Sequence, residues 1–224
     1  MQPTAHRFLD AADCTRARAA VDALKRYWIP RHPELPSFTI GAAAYLDIPT
    51  DGVRQYYTRA TRARRALHRE LGWLYDRLVI AVEGALGAPA AITNVYAPPG
   101  FHLFQHHDRL GDLQPKLHYD LQHEHLDWNV SPNADPSRRF SFTVPIAIPA
   151  AGAGLYTWPI LHGEDHRPTE ADATYHPYAL GDLFVHDGAH LHQIAADRPL
   201  EPGEERVTFQ GHGVLDDGVW QLYW

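Results

Sequence analysis

The residues of this chain that could do chemistry are histidines and aspartates at short spacing. His118 and Asp120 are two apart, and alternate residues of a β-strand point to the same side of a sheet. A strand over residues 117–122 would therefore turn both side chains into one cavity. Two imidazoles and one carboxylate hold ferrous iron on one face and leave its other positions open. The third ligand must come from a distant strand, and His192 is the candidate.

Other residues share this pattern, so the ligand set stays open at this point. His-x-Asp also occurs at 106–108, in a loop-like stretch, and at 125–127. Such a short motif has a high false-positive risk, and the triplet at 125–127 is a serious rival. His190 shares a face with His192 and could replace it. The apolar flanks of the middle triplet, Leu117 and Leu121, favour His118 and Asp120.

A second chemical feature follows His192 in the chain. Arg206 lies 14 residues after His192, and Thr208 shares its strand face by parity. A guanidinium can grip a carboxylate with two parallel hydrogen bonds, and a threonine hydroxyl can donate a third. A buried Arg206 would imply an anionic partner. The alternative is an exposed arginine that pairs with Glu204 or Glu205.

Bulk composition bounds the class of protein. The chain has 224 residues, 45% of them hydrophobic, and a net charge of −7, which predicts one domain spanning residues 1–224. The negative charge argues against nucleic acid as the main partner. One cysteine, Cys14, fits a reducing compartment. No signal peptide or membrane-spanning run is evident. We expect a cytoplasmic protein with a small-molecule substrate and no membrane partner; the oligomeric state is unknown.

The hydrophobic periodicity changes along the chain. Residues 1–90 read as mainly helical, with helices over about 11–28 and 50–86 and an early strand over 37–46; the second helix has one apolar stripe from Tyr56 to Val82. Residues 91–224 read as short strands between turns, the pattern of a sandwich or jelly roll. The predicted strands cover residues 92–96, 101–105, 117–122, 140–148, 155–160, 182–186, 191–195, 206–210 and 220–224. The predicted class is α+β, with helices packed on a barrel-like double sheet.

These motifs resemble those of the Fe(II)/2-oxoglutarate-dependent oxygenase superfamily: His-x-Asp, a distal His, and Arg-x-Ser/Thr after it. The matching positions are His118, Asp120, His192, Arg206 and Thr208. The resemblance implies a double-stranded β-helix core (jelly roll, cupin-like) buttressed by the N-terminal helices. It also implies that Fe(II), 2-oxoglutarate and O2 are used, that Arg206 and Thr208 bind the far carboxylate of 2-oxoglutarate, and that this co-substrate is oxidised to succinate and carbon dioxide.

The resemblance implies hydroxylation or desaturation of substrate, because the carboxylate ligand Asp120 is present. The polar lining predicts a small polar substrate, such as an amino acid or a natural-product intermediate. The candidate substrate contacts, from strand parity and order, are Gln122, Trp128, Tyr156, Trp158, His190 and Gln210, with Tyr96 and His102 as further candidates. Two alternatives remain: a cupin-type metalloenzyme that does not use 2-oxoglutarate, and a non-catalytic ligand-binding jelly roll.

Overall fold

The computed structural model describes residues 1–109, 116–128, 133–195 and 199–224. Helix α1 spans Ala11–Ala23, α2 spans Ala44–Asp51 and α3 spans Val53–Leu86. Asp10 begins α1, because its side chain accepts the Asp13 N–H at 2.8 Å. The predicted first helix ends earlier than expected and continues as a 3-10 turn over Lys25–Tyr27.

The predicted apolar stripe of the long helix is confirmed. All eight of its residues are buried: Tyr56, Ala60, Ala63, Leu67, Leu71, Leu74, Leu78 and Val82. The helix bends at Leu71, whose backbone is not helical, and ends at Gly87 in the left-handed region. The early strand was predicted too long, since it stops at Ile40 and α2 takes over at Ala44.

Twelve strands form two sheets among the described residues. Their bounds are β1 Thr4–Arg7, β2 Ile29–Pro30, β3 Ser37–Ile40, β4 Ala90–Ile92, β5 Gly100–Gln105, β6 Ala134–Ala147, β7 Gly154–Leu161, β8 Thr174–Pro177, β9 Asp182–His186, β10 His190–Ala195, β11 Glu205–Asp216 and β12 Val219–Tyr223. The larger sheet has the strand order β1-β9-β6-β11-β5-β3-β2. In addition, β12 pairs with β11, and β4 pairs with β12. The smaller sheet is β10-β7-β8. All pairs are antiparallel except β12 with β4.

Strand β11 separates the hydrophobic core from the polar side of the large sheet. Val207 and Phe209 are fully buried in the core that α1 and α3 form with the sheet. The ring of Tyr75 in α3 lies 5.8 Å from that of Phe209. The alternate residues, beginning with Arg206 and Thr208, face the other way. The helices therefore buttress one face of the sheet and leave the other for a site.

The strand predicted over residues 117–122 is wrong. His118 makes one isolated bridge to His192 in β10, and a 3-10 helix covers Gln122–His125. Strands β1, β2 and β8 were not predicted. No helix in the described part of the chain is both long and apolar enough to cross a membrane.

A candidate metal and acid-binding site

A cavity of about 460 Å³ is lined by residues of both sheets and by the segment 116–125. Its volume is in the range of small-molecule sites, roughly 300–1,000 Å³. The polar residues of its lining are Tyr45, His102, Lys116, His118, Tyr119, Asp120, Gln122, His125, Ser141, Thr143, Tyr178, His186, His192, Arg206, Thr208, Gln210 and His212. Most of the chemistry-bearing residues of the sequence thus meet in one place.

Three of these side chains form a cluster that could hold a metal ion. One ligand atom each from His118, Asp120 and His192 lies within 4.8 Å of the others. His192 Nε2 is 3.5 Å from Asp120 Oδ2, and His118 Nε2 is 3.9 Å from Asp120 Oδ1. Asp120 and His192 are buried, whereas His118 is partly exposed. The two imidazoles and one carboxylate are the donor types that suit a divalent first-row metal.

Backbone carbonyls orient both imidazoles. His118 Nδ1 donates to the Lys116 carbonyl and His192 Nδ1 donates to the His190 carbonyl, both at 2.8 Å. A hydrogen on Nδ1 leaves the Nε2 lone pair free in a neutral imidazole, which is the tautomer needed for metal binding. The backbone fixes the spacing as well, since His118 and His192 exchange two N–H···O=C bonds of 3.0 Å.

The charges of the cluster also suit a cation. Burial by itself would raise the pKa of Asp120, but the neighbouring His192, His212 and His186 hold that pKa well below its usual value. Burial lowers the pKa of His118. Burial acts in the same direction on His192, but Asp120 outweighs it and raises the pKa of His192. The site therefore presents an ionised carboxylate between two imidazoles.

Arg206 lines the same cavity without a carboxylate partner among the described residues. Its Cζ lies 4.4 Å from the centroid of the Phe104 ring, and burial lowers its pKa to about 10, so it stays charged at neutral pH. Pairing with a neighbouring glutamate is excluded: Glu205 accepts from Arg18 Nη2 at 2.7 Å, and Glu204 accepts backbone N–H groups. Arg206 is half-buried, and a cation that is partly withdrawn from water calls for an anion.

Thr208 and Gln210 continue the polar face of β11. Thr208 is buried, and its hydroxyl donates to Gln210 Oε1 at 3.2 Å. His102 of β5 lies opposite Thr208, and its Nε2 is hydrogen-bonded to the Tyr45 hydroxyl. Burial, reinforced by Arg31 and Arg206, lowers the pKa of His102 to about 3. This neutral imidazole lies beside the place where an acid would bind.

The structure brings some of the predicted substrate contacts to the cavity and leaves others elsewhere. Gln122, Gln210 and His102 line it. Trp128 does not, because it packs on Tyr96 at 4.7 Å between ring centroids. Tyr96 is buried, and its hydroxyl donates to the Asp127 carbonyl.

The remaining candidates do not line this cavity. Trp158 and His190 line a separate cavity of about 220 Å³. His190 Nδ1 is 2.9 Å from Asp187 Oδ2. The Tyr156 ring lies 5.1 Å from that of Tyr175. Of the rival triplet, His125 lines the main cavity and Asp127 does not.

Several cavity residues were not predicted. His212 is an even-numbered residue of β11, like Arg206, Thr208 and Gln210, and shares their strand face. The predicted strand ended at residue 210, so it did not include His212. His186 ends β9, and its nearness to Asp120 depends on a long-range contact that the sequence does not reveal. Tyr45 lies in α2, where a strand was predicted, so no sequence signal pointed to it.

Comparison with known proteins finds structures of similar fold. No family model matches the sequence, and no curated protein matches it. Among solved structures, the chain is similar to an N-substituted L-amino acid dioxygenase in complex with alpha-KG from Burkholderia ambifaria AMMD: 12% identity, 99% of this chain, 85% of that one, TM-score 0.59.

Two further structures show the same likeness. The non-heme alpha ketoglutarate dependent epimerase SnoN, from nogalamycin biosynthesis, has 14% identity over 96% of this chain and 77% of that one, TM-score 0.54. HygX from Streptomyces hygroscopicus, with nickel and 2-oxoglutarate bound, has 12% identity over 94% and 82%, TM-score 0.52.

The fold is therefore that of Fe/2-oxoglutarate oxygenases, and the resemblance predicted from the sequence is confirmed at the level of fold. The His-Asp-His cluster is consistent with the Fe(II) and 2-oxoglutarate that the resemblance implies. At these identities the comparisons carry neither reaction nor substrate to this chain.

Proposed function

We propose that this protein is an Fe(II)- and 2-oxoglutarate-dependent oxygenase that hydroxylates or desaturates a small polar molecule. Its core would be a double-stranded β-helix within a single domain of 224 residues. One observation carries the proposal: a cluster of two histidines and one aspartate shares its cavity with a half-buried arginine that has no carboxylate partner among the described residues.

In this proposal His118, Asp120 and His192 hold the metal through His118 Nε2, His192 Nε2 and the Asp120 carboxylate. When bound, ferrous iron would activate O2, the oxidant: 2-oxoglutarate would supply two electrons as it is oxidised to succinate and carbon dioxide, and the C–H bond of the substrate would supply the other two. The protein contributes orientation: Lys116 and His190 carbonyls fix the two imidazoles.

Arg206 and Thr208 would bind the far carboxylate of the co-substrate. The guanidinium gives a charge-assisted, bidentate contact and the hydroxyl gives a further hydrogen bond. Phe104 covers the guanidinium and limits its freedom, so little side-chain entropy is lost when the acid binds.

The substrate would occupy the part of the cavity bordered by neutral polar groups. Gln122 and Gln210 offer amides, and Tyr45 and His102 offer a hydroxyl–imidazole pair. Such groups recognise hydroxyls, carbonyls and amides, and they support a small polar substrate, such as an amino acid or a natural-product intermediate. A neighbour in fold carries the name of an amino acid dioxygenase.

The test is anaerobic binding followed by turnover. Metal-free protein receives Fe(II) and then 2-oxoglutarate under nitrogen, and we expect a weak visible charge-transfer band. Arg206→Ala should bind Fe(II) normally and weaken 2-oxoglutarate binding roughly 30-fold or more, since truncating one partner of a buried charge pair costs about 2 kcal/mol or more. Arg167→Ala, at an exposed arginine, is the matched control.

The same experiment separates the alternatives. Asp120→Ala should lose metal affinity and succinate formation, whereas Asp127→Ala should keep both. A cupin-type enzyme would bind metal but would not respond to 2-oxoglutarate or to Arg206→Ala. A non-catalytic jelly roll would take up no metal. Wild-type binding of 2-oxoglutarate that survives Arg206→Ala unchanged would refute the role of Arg206.

A further inference from the structure

We propose that Gln122 and His186 are positioning residues for Asp120, and that His186 keeps its Nε2 hydrogen and is not a fourth metal ligand. This inference rests on the proposed metal site and adds two residues to it. His186 Nε2 lies only 3.8 Å from Asp120 Oδ2, close enough for His186 to be considered as a third histidine ligand. The inference excludes His186 as a ligand and leaves a site of two histidines and one carboxylate.

Gln122 holds one oxygen of the carboxylate. Its Nε2 lies 2.9 Å from Asp120 Oδ1, and both side chains are buried. An ionised carboxylate only accepts hydrogen bonds, so the amide nitrogen, not the amide oxygen, must face Asp120. This hydrogen bond occupies one lone pair of Oδ1. The other oxygen, Oδ2, lies 3.5 Å from His192 Nε2 and is therefore the oxygen that would bind the metal.

His186 approaches Oδ2 with a defined tautomer. Its ring is buried, and its Nδ1 accepts the backbone N–H of Gly188 at 3.2 Å. A neutral imidazole that accepts at Nδ1 carries its hydrogen on Nε2. His118 and His192 have the opposite arrangement, since each donates from Nδ1 to a carbonyl. The backbone therefore prepares two imidazoles to bind metal and a third to present an N–H.

The backbone of Gly188 is hydrogen-bonded to both His186 and Asp120. Its N–H fixes the His186 ring, and its carbonyl accepts the Asp120 N–H at 2.8 Å. Its φ of +66° suits glycine, and a Cβ at this position would lie 2.7 Å from Asp120 Cβ and 2.9 Å from Ser141 Oγ. The turn between β9 and β10 thus positions the backbone of Asp120 and the ring of His186 together.

The test uses Co(II), a spectroscopic probe for the proposed iron site, added to the metal-free chain of 224 residues. Its visible absorption gives the affinity, and paramagnetic proton NMR counts the hyperfine-shifted N–H signals of ligating imidazoles. We expect two such signals, from His118 and His192. His186→Gln, which can place an amide N–H near the former Nε2, should bind Co(II) like the wild type. Gln122→Glu removes the amide that donates to Asp120 Oδ1, and His186→Ala removes an imidazole N–H that lies 3.8 Å from Oδ2, farther than a hydrogen bond. Each variant should bind Co(II) roughly 10- to 100-fold more weakly, the usual effect of losing a polar partner around a metal ligand.

The reference variants are His192→Ala, which removes a proposed ligand, and His166→Gln, a change at an exposed histidine. The inference is overturned if His186→Gln loses as much affinity as His192→Ala, or if a third shifted N–H signal vanishes in His186→Gln. It is equally overturned if His186→Ala and Gln122→Glu both bind like wild type. Wild-type protein that binds Co(II) but never 2-oxoglutarate would refute the proposed function and leave the positioning roles intact. Wild-type protein that binds no Co(II) would refute both.

Discussion

We expect its buried histidines to make the metal-free protein sensitive to mild acid. His123, His186 and His212 are each less than 9% exposed. Burial lowers the pKa of His186 to about 3 and the pKa values of His123 and His212 to about 4. The unfolded chain has a histidine pKa of about 6.5. Between these values the unfolded state binds more protons, so stability is complete above pH 6.5 and is lost as the pH falls from there towards 4.

The size of the effect follows from the two sets of pKa values. Lowering the pH from 7 to 5 protonates a histidine in the unfolded chain but not in the folded one, which costs about 2 kcal/mol of folding free energy per histidine. These three histidines alone give about 6 kcal/mol, a large part of the roughly 5–15 kcal/mol that stabilises a domain, and His102, whose pKa is also lowered to about 3, adds to the loss. The pH range of the measurement ends at 5, because below pH 5 carboxylates with ordinary pKa values near 4 also begin to change the folding free energy.

Urea unfolding of the metal-free protein, followed by tryptophan fluorescence at pH 7, 6 and 5, measures this loss by linear extrapolation. His212→Gln should reduce the loss by about 2 kcal/mol, one histidine's share, whereas the exposed control His166→Gln should leave it unchanged. A loss below about 2 kcal/mol in the wild type between pH 7 and pH 5 would show that these imidazoles take up protons inside the folded protein.

Three further substitutions should change stability. Asp47→Asn breaks a buried ion pair with Arg31 and should lower the free energy of unfolding by about 3–5 kcal/mol in urea titrations. Gly100→Ala would push a methyl group into the Trp224 ring and should cost about 1–3 kcal/mol, measured in the same way. Arg206→Met removes a half-buried cation and should raise the thermal midpoint of the ligand-free protein while abolishing 2-oxoglutarate binding; a lower midpoint would assign Arg206 a structural role.

Local patterns in the sequence predicted the helices and strands that have one buried, apolar face. The apolar stripe of α3 was predicted because its spacing follows the helical period. Strand β9 was predicted with the bounds that the structure has, Asp182–His186. Strand β1 was missed because three of its four residues are exposed, so no alternation of apolar and polar residues marks it.

The candidate site shows where local patterns stop being informative. His118 and Asp120 were chosen because a strand would point both the same way, yet no strand forms there. They converge through long-range backbone bonds to His192 and Gly188. Trp158 was expected near the site from strand order and His190 from its parity with His192, and both line a different cavity. Parity holds only along a regular strand, and the pairing of β10 with β7 shifts register between His190 and His192.

The two pairs of backbone contacts, His118 with His192 and Asp120 with Gly188, have a dynamic consequence. They attach the segment that carries two proposed ligands to the β9–β10 turn, so the three ligands should move as one rigid body. Amide hydrogens of His118, Asp120 and His192 should then exchange with solvent water at one common rate. Any opening that admits substrate must use other parts of the cavity wall, because separating these ligands would break all three of the N–H···O=C bonds that join the two segments.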